Sequence, residues 1–395
     1  MRILIADKVS ANMVAELKGL GAEVTLEPDL SAETLPAALA GIEILIVRST
    51  KVTAAAIEAG NALSLIIRAG AGVNTIDIQK ASEKGIYVAN CPGKNTDAVA
   101  ELAIGLLIAA DRRIPDALFD LRNGRWRKKE YGKAFGLKSR TLGIVGMGSI
   151  GAAVARRAHG LEMNVVAWSR SLTPETAKAL GVGYCATLSE LAAQADAVSV
   201  HLALSKETRG VLDADFFARL KKGALFVNTA RYEVADPAAL REAIASGRIR
   251  AAMDVFENEP SAGEAEFADR ELAAGLVAAS PHIGASTEQA EEAIARETVR
   301  VARTFIETGK PVNAVNPRRL HSGVPCVIRH YNRVGVLAGV LHELRNEGIN
   351  IEEMDNTIFE GELAACCTLI LDKSPSAELM QRISGSADVI QAVLK

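Results

Sequence analysis

The sequence predicts an α/β protein with two doubly wound parallel-sheet lobes and a smaller C-terminal domain of the ferredoxin-like βαββαβ type. Three observations predict this fold. Short apolar runs rich in Val and Ile alternate with helical patterns, and a strand–helix–strand layout occurs at 2–26 and again at 141–168. The C-terminal segment follows the order strand, helix, strand, strand, helix, strand. Continuously apolar strands indicate burial on both faces, as in parallel sheets connected by helices.

The elements follow in order along the chain. Strands are predicted at 3–6, 44–47, 65–67, 142–145, 165–168, 197–202, 225–228, 250–253 and 276–279. A long helix is predicted at 96–111, between the two lobes. Ser286 and Gln289 fit a capping box, so another helix is expected to start there. The stretch 313–325 contains two prolines and a glycine and is predicted to be a linker.

The composition excludes several classes of protein. With 395 residues, 49% of them hydrophobic, the chain can bury two or three cores without metals or disulfides. A net charge of -3 leaves no basic surface for nucleic acid or anionic membrane. Five cysteines without a C-x-x-C pair argue against a zinc site and favour a reducing compartment. The start MRILIAD is strand-like rather than signal-like, and the apolar stretch 102–110 is too short for a membrane span. We expect a soluble, cytoplasmic protein.

The motif GMGSIG predicts a dinucleotide site. Gly146, Gly148 and Gly151 have G-x-G-x-x-G spacing, directly after a predicted strand and before a predicted helix. Their expected roles are a tight turn, close approach of pyrophosphate to the backbone, and close helix–strand packing. The motif alone is weak evidence and also occurs in glycine-rich turns, but the flanking strand and helix favour the dinucleotide interpretation.

The segment VVAWSRS leaves the choice of dinucleotide open. The second strand of such a unit usually ends in an acid that binds the ribose hydroxyls of NAD. Here Ser169 and Arg170 occupy that end. Arg170 could bind the 2′-phosphate of NADP, or it could point to solvent while NAD binds through other contacts. Thr173 and Pro174 fit a helix start, which would place Glu175 in the first turn.

Polar residues follow three further strands of the second lobe. Arg231 comes after 225–228, Asp254 and Glu259 after 250–253, and His282 after 276–279. Ligands of open parallel sheets bind at the carboxyl ends of the strands, so these loops should face the crevice of the glycine turn. A histidine beside a carboxylate can transfer the proton of an alcohol, and an arginine can bind a carboxylate. Each residue alone could equally be a turn or surface residue.

In combination the motifs are highly specific. The sequence resembles the D-isomer-specific 2-hydroxyacid dehydrogenases through VRSTKVT, RAGAGVNTID, NCPGKNTDAVAEL, LRNGRW, LGIVGMGSIG, NTAR, MDVFENEP and PHIGAST. The resemblance implies a substrate-binding lobe at 1–95, completed by 286–316, and a Rossmann-like dinucleotide domain at 96–285. It implies that the remaining segment, 317–395, is an ACT regulatory domain.

The resemblance also implies roles for individual residues. The catalytic residues would be Arg231, Glu259 and His282. The cofactor would be held by Gly146, Gly148, Ser149, Ile150, Gly151, Ser169, Arg170, His201, Thr229, Ala230 and Asp254, with Asp254 and 229–231 near the nicotinamide carboxamide. The substrate would be held by Arg48, Ser49, Ala71, Gly72, Val73, Asn74 and Lys128, with Arg48 and Lys128 as cations for a phosphate and Lys51 as a weaker addition. The charge run at Lys128 could instead be a solvated face.

In the C-terminal segment, RHYNRVGVLAGVLHELRNEGINI resembles the first strand, turn and helix of an ACT domain. The resemblance places His330, Asn332 and Asn350 at an amino-acid effector site, with L-serine as the candidate effector. Val334 departs from the usual proline. A purely structural dimerisation module is the alternative.

The expected activity is the NAD(P)-dependent oxidation of D-3-phosphoglycerate to 3-phosphohydroxypyruvate, the first step of L-serine synthesis. Tyr232 and Glu233 stand where the family has small residues, and their bulk and charge could disfavour a phosphorylated substrate. The alternatives are therefore an NADPH-dependent reductase of glyoxylate or hydroxypyruvate, and a nucleotide-sensing, co-repressor-like binding protein. A small-molecule substrate, NAD or NADP and a homodimer or homotetramer are expected, with no metal, nucleic acid or membrane partner.

Overall fold

The computed structural model describes residues 1–260, 264–318 and 323–395. The chain divides into two compact units, Met1–Asn316 and Pro317–Lys395. The first unit contains two parallel sheets, and the second contains one antiparallel sheet. The predicted α/β class is therefore confirmed. No helix within the described ranges is both long and apolar enough to cross a membrane.

The first lobe is a five-stranded parallel sheet with the order β2-β1-β3-β4-β5. Its elements are β1 Arg2–Ile5, α1 Ala11–Gly19, β2 Glu23–Leu26, α2 Leu35–Ala38, β3 Ile44–Val47, α3 Ala54–Ala59, β4 Leu65–Arg68, α4 Ile78–Glu83 and β5 Tyr87–Asn90. Helices cover both faces, which explains why β3 is buried at all four positions. The strands predicted at 3–6, 44–47 and 65–67 are confirmed within one residue.

The second lobe is a seven-stranded parallel sheet with the order β12-β11-β10-β9-β6-β7-β8. Its elements are α5 Thr96–Arg112, α6 Ile114–Arg122, α7 Lys128–Tyr131, β6 Thr141–Val145, α8 Ser149–Gly160, β7 Asn164–Trp168, α9 Pro174–Ala179, β8 Gly183–Tyr184, α10 Leu188–Gln194, β9 Ala197–Val200, α11 Ala214–Arg219, β10 Ala224–Asn228, a 3-10 turn Tyr232–Val234, α12 Pro237–Ala245, β11 Ile249–Met253, α13 Arg270–Gly275 and β12 Ala278–Ala279. The strand predicted at 276–279 is shorter, because Leu276 ends α13.

Helix α14, Glu288–Thr308, returns to the first lobe and packs beside α1 on one face of its sheet. The predicted capping box at Ser286 is wrong. Thr287 is the N-cap, and its hydroxyl accepts a hydrogen bond from the Ala290 amide at 3.2 Å. Ser286 is instead part of the preceding turn, since its amide donates to the Ile283 carbonyl.

The C-terminal unit has the predicted element order. It consists of β13 Val324–Tyr331, α15 Val336–Asn346, β14 Ile351–Ile358, β15 Ala364–Leu371, α16 Ala377–Ser384 and β16 Val389–Leu394. The sheet order is β14-β15-β13-β16 with antiparallel neighbours.

The predicted linker 313–325 is too long at both ends. The Asn316 side chain accepts from the Val88 amide at 2.8 Å, so 313–316 belongs to the first unit. Pro325 lies within β13. The middle of this stretch, 319–322, lies outside the described residues.

Candidate active site

The glycine turn after β6 has the geometry of a phosphate-binding loop. Gly146 has a φ of +99°, and a Cβ there would lie 2.7 Å from the His201 carbonyl oxygen. A Cβ on Gly151 would lie 2.1 Å from the Gly146 carbonyl oxygen, so only glycine lets α8 pack this closely. A Cβ on Gly148 would meet nothing within 4 Å. Gly148 therefore leaves room above the backbone at the start of α8.

The start of α8 suits an anion. Ser149 and Ile150 form its first turn, and no side chain caps this end. Uncapped amides and the helix dipole both favour negative charge at that end. The turn, the open space and the helix end together fit the pyrophosphate of a dinucleotide.

The end of β7 lies where the sequence predicted it. The Trp168 carbonyl accepts from the Gly146 amide at 2.8 Å, so Ser169 directly follows the strand beside the glycine turn. Arg170 is largely exposed, and its nearest carboxylate oxygen is that of Glu207, at 3.9 Å. Thr173 caps α9 and Glu175 lies in the first turn of that helix, as predicted.

His282 and Glu259 form a direct pair. The Nδ1 atom of His282 lies 2.5 Å from Oε2 of Glu259, and Oε1 accepts from the Phe256 amide at 2.9 Å. Burial raises the pKa of Glu259, but these two hydrogen bonds and the positive charges of His282 and Arg231 outweigh it. The pKa of Glu259 is therefore lowered, and its carboxylate stays ionised near neutral pH.

Arg231 is held by a turn that the Asn228 side chain organises. Asn228 is fully buried; its Oδ1 accepts from the Ala230 amide, and its Nδ2 donates to the Arg231 carbonyl, both at 3.0 Å. The guanidinium donates to the Ala230 carbonyl at 2.6 Å and lies against the first lobe, 2.8 Å from where a Cβ on Gly72 would be. The turn thus directs Arg231 toward the 71–74 loop.

The first lobe contributes the Ala71–Asn74 loop. Asn90, at the end of β5, donates to the Ala71 carbonyl at 2.6 Å. The side-chain oxygen of Asn74 would lie 3.3 Å from a Cβ on Gly72, and Val73 packs on the core of the lobe. Asn90 was not singled out from the sequence. Only its position next to the loop, on a neighbouring strand, reveals its role.

Arg48 and Ser49 follow β3 in a tight turn. Their amides and that of Thr50 converge on Asp7 Oδ2, at 2.6, 3.1 and 3.2 Å. Ser49 is exposed. The Arg48 guanidinium pairs with Glu291 of α14 at 2.9 Å. The charge of Arg48 is therefore compensated by Glu291 in this structure.

Arg68, at the end of β4, is a site residue that sequence reasoning missed. Its Nε is buried without a hydrogen-bond partner among the described residues. Burial, together with the positive charges of Arg231 and Arg48, lowers the pKa of Arg68, while Asp7 partly opposes this. In the sequence, Arg68 is only the first residue of the RAGAGVNTID motif. Its position beside two other arginines depends on contacts between distant segments of the chain.

Lys128 lies on the exposed surface of the second lobe. It begins the short helix α7 and is exposed, in a surface depression that Trp126, Arg127, Lys129, Glu130 and Lys133 also line. None of these residues belongs to the loops that carry Arg231, Glu259 and His282. Within one chain, the described contacts thus do not join Lys128 to the catalytic trio. Lys51 is likewise exposed.

Two of the predicted cofactor residues, His201 and Thr229, have buried polar atoms without a hydrogen-bond partner among the described residues. His201 follows β9; its Nε2 lies 2.8 Å from the Ser199 hydroxyl, its Nδ1 is buried without a partner, and burial lowers its pKa to about 3. Thr229 is buried with an unpaired hydroxyl beside Ala230. His201 is thus a neutral ring at physiological pH, and both residues keep an unused polar atom at the carboxyl edge of the sheet.

Asp254, predicted to lie near the nicotinamide carboxamide, is buried beneath the loop that carries His282. Its exposed fraction is 0%, and among the described residues its carboxylate accepts hydrogen bonds from Ser280, Ile283 and Gly284 of that loop. Burial raises the pKa of Asp254, although hydrogen bonds from Ser280, Ile283 and Gly284 oppose this.

The bulk of Tyr232 was expected to disfavour a phosphorylated substrate, and this expectation is wrong. The 3-10 turn directs this side chain into the core of the second lobe, where it is 1% exposed and packs with residues such as Phe226. Burial raises the pKa of Tyr232. Its bulk therefore cannot oppose a substrate phosphate. Glu233, the second residue of the turn, is partly exposed.

In the C-terminal unit the predicted effector residues are engaged internally. His330 is buried, with Nδ1 2.7 Å from the Tyr331 carbonyl and Nε2 3.2 Å from Asn356 Oδ1. The Asn332 side chain donates to the Glu362 carbonyl at 2.9 Å, and the backbone N–H of Asn350 donates to Asp372 Oδ1 at 2.9 Å. Val334 is fully exposed.

Comparisons with known proteins agree with this site. Residues 104–284 match the family model described as D-isomer specific 2-hydroxyacid dehydrogenase, NAD binding domain. D-3-phosphoglycerate dehydrogenase of Methanocaldococcus jannaschii is 34% identical over 92% of this chain and 68% of its own length. Hydroxypyruvate reductase of Thermotoga maritima is 42% identical over 73% of this chain and 91% of its own length.

A solved structure supports the same relationship. The NADPH-dependent glyoxylate/hydroxypyruvate reductase of Sinorhizobium meliloti superposes with a TM-score of 0.70 and 28% identity, over 80% of this chain and 99% of that one. Two parallel-sheet lobes, a glycine turn suited to a dinucleotide and a histidine–glutamate pair beside an arginine are all present. The chain therefore belongs to the D-isomer-specific 2-hydroxyacid dehydrogenases, enzymes that act on the CH–OH group of 2-hydroxy acids with a nicotinamide dinucleotide.

Proposed function

We propose that the chain oxidises D-3-phosphoglycerate to 3-phosphohydroxypyruvate. The bound nicotinamide supplies the hydride acceptor of the reaction. His282 is the general base that takes the hydroxyl proton. Because Nδ1 faces Glu259 at 2.5 Å, Nε2 is the ring nitrogen left for the substrate. Glu259 fixes the orientation of the ring and stabilises the imidazolium that proton transfer creates.

The substrate carboxylate is held between the two lobes in this proposal. Arg231 offers a bidentate guanidinium, and the backbone of the Ala71–Asn74 loop lies next to it, as the short distance to Gly72 indicates. The first lobe, 1–95 with 286–316, is then the substrate-binding lobe. The second, 96–285, binds the dinucleotide.

The observation that carries the choice of substrate is Arg68. Arg68 is partly buried, its Nε is buried without a hydrogen-bond partner among the described residues, and its charged neighbours are Arg231, Arg48 and Asp7. Arg231 can neutralise one anionic group, and Glu291 already neutralises Arg48. In the proposal, the phosphate of D-3-phosphoglycerate is a second anionic group that binds beside Arg68. Arg48 contributes if it exchanges Glu291 for the phosphate.

Either dinucleotide can be accommodated in the proposal. Ser169 lacks the carboxylate that would repel a 2′-phosphate, and Arg170 is within reach as a cation. NAD remains the usual cofactor implied by the family, with NADP tolerated or preferred. In the proposal the dinucleotide is held by Gly146–Gly151, His201, Thr229, Ala230 and Asp254.

We also propose a homo-oligomer. Large apolar side chains are exposed along α6 and the segment after it, and exposed patches of this kind mark interaction surfaces. They are Ile114, Leu118, Phe119, Leu121, Trp126 and Phe135. A second copy that covered this segment would also be close to Lys128. The unit 317–395 would act as an ACT regulatory domain that binds L-serine near His330, Asn332 and Asn350.

The second candidate is the reduction of hydroxypyruvate or glyoxylate. The Arg48–Glu291 pair favours it, because it reduces the positive charge available to a phosphate. The Thermotoga maritima and Sinorhizobium meliloti relatives bear names of this activity. The co-repressor alternative is not favoured, since the relatives described above have the names of enzymes.

A panel of initial rates separates the candidates. The full chain is assayed with D-3-phosphoglycerate and NAD or NADP, and with hydroxypyruvate or glyoxylate and NADH or NADPH. The proposal predicts the highest kcat/KM for phosphoglycerate in the forward direction or phosphohydroxypyruvate in reverse. A higher kcat/KM for glyoxylate or hydroxypyruvate supports the reductase, and binding of dinucleotide without turnover of any of these substrates contradicts both.

A further inference from the structure

Glu291 and Arg48 form an ion pair between two distant segments of the chain. The Arg48 Nη2 atom lies 2.9 Å from Glu291 Oε1, and the two positions are 243 residues apart in the sequence. Glu291 lies near the start of α14, the helix that follows the loop of His282. Arg48 follows β3, in the turn that was predicted to bind the substrate. The ion pair therefore joins the helix after the catalytic loop to that turn.

The backbone of Arg48 is fixed, whereas its side chain remains accessible. The Arg48 amide donates to Asp7 Oδ2 at 2.6 Å, which anchors the start of the side chain. The Arg48 side chain is nevertheless 34% exposed, and that of Glu291 is 50% exposed. An ion pair that water reaches this freely contributes little to stability. Another anion can therefore replace Glu291 at the Arg48 guanidinium at a small cost in free energy.

The pair borders the place where the proposed phosphate would bind. Arg48 and Glu291 both line a cavity of about 620 Å³, which also reaches Ala69, the residue directly after Arg68. Burial and the charges of Arg231 and Arg48 lower the pKa of Arg68, so these three arginines are electrostatic neighbours. A phosphate beside Arg68 would be attracted by Arg48 and repelled by the carboxylate that Arg48 now binds.

The next residue of α14 provides a contrast. Glu292 Oε1 lies 2.6 Å from Arg296 Nη1, one turn further along the same helix. The charge of Glu292 is thus compensated within α14, whereas that of Glu291 is compensated by a residue of the substrate-binding turn. Two adjacent glutamates on one helix therefore differ in whether they affect the charge of Arg48.

We propose that Glu291 is a specificity-determining residue that competes with the distal phosphate of the substrate for Arg48. This inference rests on the proposed function, because it takes the phosphate to lie beside Arg68. Glu291 lowers the affinity for a second anionic group and leaves the carboxylate, which Arg231 binds, unaffected. The preference between phosphorylated and unphosphorylated 2-hydroxy acids is then set partly by a helix residue that does not touch the substrate.

The test compares D-3-phosphoglycerate with D-glycerate in Glu291→Gln and Glu292→Gln, at low ionic strength, where exposed charges are least screened. For Glu291→Gln, KM for D-3-phosphoglycerate should fall by about 3- to 10-fold, because the competition for Arg48 and the repulsion of the phosphate both end. KM for D-glycerate and kcat for both substrates should stay within about twofold, a split that a general structural change would not produce. Glu292→Gln should leave all of these constants unchanged.

An unchanged KM for D-3-phosphoglycerate in Glu291→Gln, or an equal change in KM for both substrates, overturns the inference. A double mutant tests the route through Arg48. In an Arg48→Ala background, Glu291→Gln should change KM for D-3-phosphoglycerate by less than about twofold, since there is no guanidinium left to compete for. The same fall in KM in both backgrounds also overturns the inference.

Failure of the proposed function would give a different result. If the wild-type chain turns over hydroxypyruvate but not D-3-phosphoglycerate, the proposed substrate is wrong, and inorganic phosphate then serves as the probe. Its Ki as a competitor of hydroxypyruvate should be lower by at least about threefold in Glu291→Gln than in the wild type. An unchanged Ki would show that Glu291 does not control the access of a second anion to Arg48.

Discussion

His282 Nδ1 and Glu259 Oε2 lie 2.5 Å apart, and the other oxygen of Glu259 accepts the Phe256 amide at 2.9 Å. Glu259 cannot turn away from the histidine without losing its backbone partner as well. The pair is therefore fixed before any substrate arrives, and only Nε2 of the ring remains for proton transfer.

Replacement of the histidine tests this pair. His282→Ala should lower kcat by about 10²–10⁴-fold, the usual contribution of a placed general acid or base. The Kd of NADH should change little, because the residues proposed to bind it at the glycine turn and at the end of β7 are in other loops than His282. Stopped-flow or steady-state rates with a fluorescence titration of NADH measure both. A near-normal kcat would remove His282 from the mechanism.

Arg68→Met should raise KM for D-3-phosphoglycerate far more than KM for D-glycerate. A hydrogen bond to a charged group contributes about 1.5–3 kcal/mol, which corresponds to roughly 10–10²-fold in KM. Arg303→Met, an exposed arginine on α14, is the matched control and should leave both constants unchanged. Equal effects of Arg68→Met on both substrates would mean that Arg68 does not bind the phosphate.

KM for D-3-phosphoglycerate and KM for D-glycerate can also be compared in variants of Arg48 and Lys128, the two cations predicted from the sequence. Arg48→Ala should have a smaller phosphate-specific effect than Arg68→Met, because Glu291 already neutralises Arg48. Lys128→Ala should act only if a second copy brings the lysine to the site. If Lys128→Ala alone shows the phosphate-specific loss, the phosphate lies elsewhere than beside Arg68.

The choice of dinucleotide depends on charges at the end of β7. Ser169→Asp should shift kcat/KM toward NAD, because a carboxylate repels the 2′-phosphate and accepts the ribose hydroxyls. Glu207→Gln should shift it toward NADP, since Glu207 Oε2 lies 3.9 Å from the Arg170 guanidinium and competes for it. Arg170→Ala should lower kcat/KM for NADP specifically. If none of the three changes the NAD-to-NADP ratio, the ribose lies elsewhere.

The lowered pKa of Glu297 makes part of the free energy of unfolding depend on pH. Its carboxylate contacts Arg300 at 2.5 Å, Asn313 at 2.6 Å and Lys94 at 3.3 Å, which together lower its pKa from 4.5 to about 2 despite burial. Between these pKa values the unfolded chain binds the extra proton, so this part of the stability is present above pH 4.5 and is lost toward pH 2.

The corresponding variant is Glu297→Gln. It should lower the free energy of unfolding by about 1–3 kcal/mol at pH 6, and the difference from wild type should shrink as the pH falls. Urea unfolding between pH 6 and the lowest pH at which the wild type still folds measures this. Glu292→Gln, at an exposed position on the same helix, is the control. A difference that is constant with pH would contradict the assignment to Glu297.

The common location of Arg231, Glu259 and His282 could be predicted from the topology of the sheet. Arg231, Glu259 and His282 follow strands of one parallel sheet, so their loops necessarily meet at its carboxyl edge. The glycine motif and the end of β7 could be predicted for the same reason. Most strand limits were correct within one residue. They were wrong at 197–202, where the strand ends at Val200, and at 276–279, where a helix end extends the apolar run.

What the sequence could not provide is side-chain direction and pairing between distant segments. Tyr232 follows Arg231 directly, yet the turn sends one side chain into the core and the other toward the first lobe. Arg48 and Glu291 are separated by 243 positions. The burial of Arg68 and Asp254 likewise depends on contacts that no local pattern encodes.

The most direct test of the account is the ratio of kcat/KM for D-3-phosphoglycerate to that for D-glycerate, measured with wild-type full chain at saturating dinucleotide. The two substrates differ only in the phosphate, so the ratio reports whether the site reads a second anionic group. The account predicts a ratio of at least about 10², because without the phosphate the Arg68 Nε stays buried without a hydrogen-bond partner among the described residues. A ratio near or below one would contradict the proposed substrate.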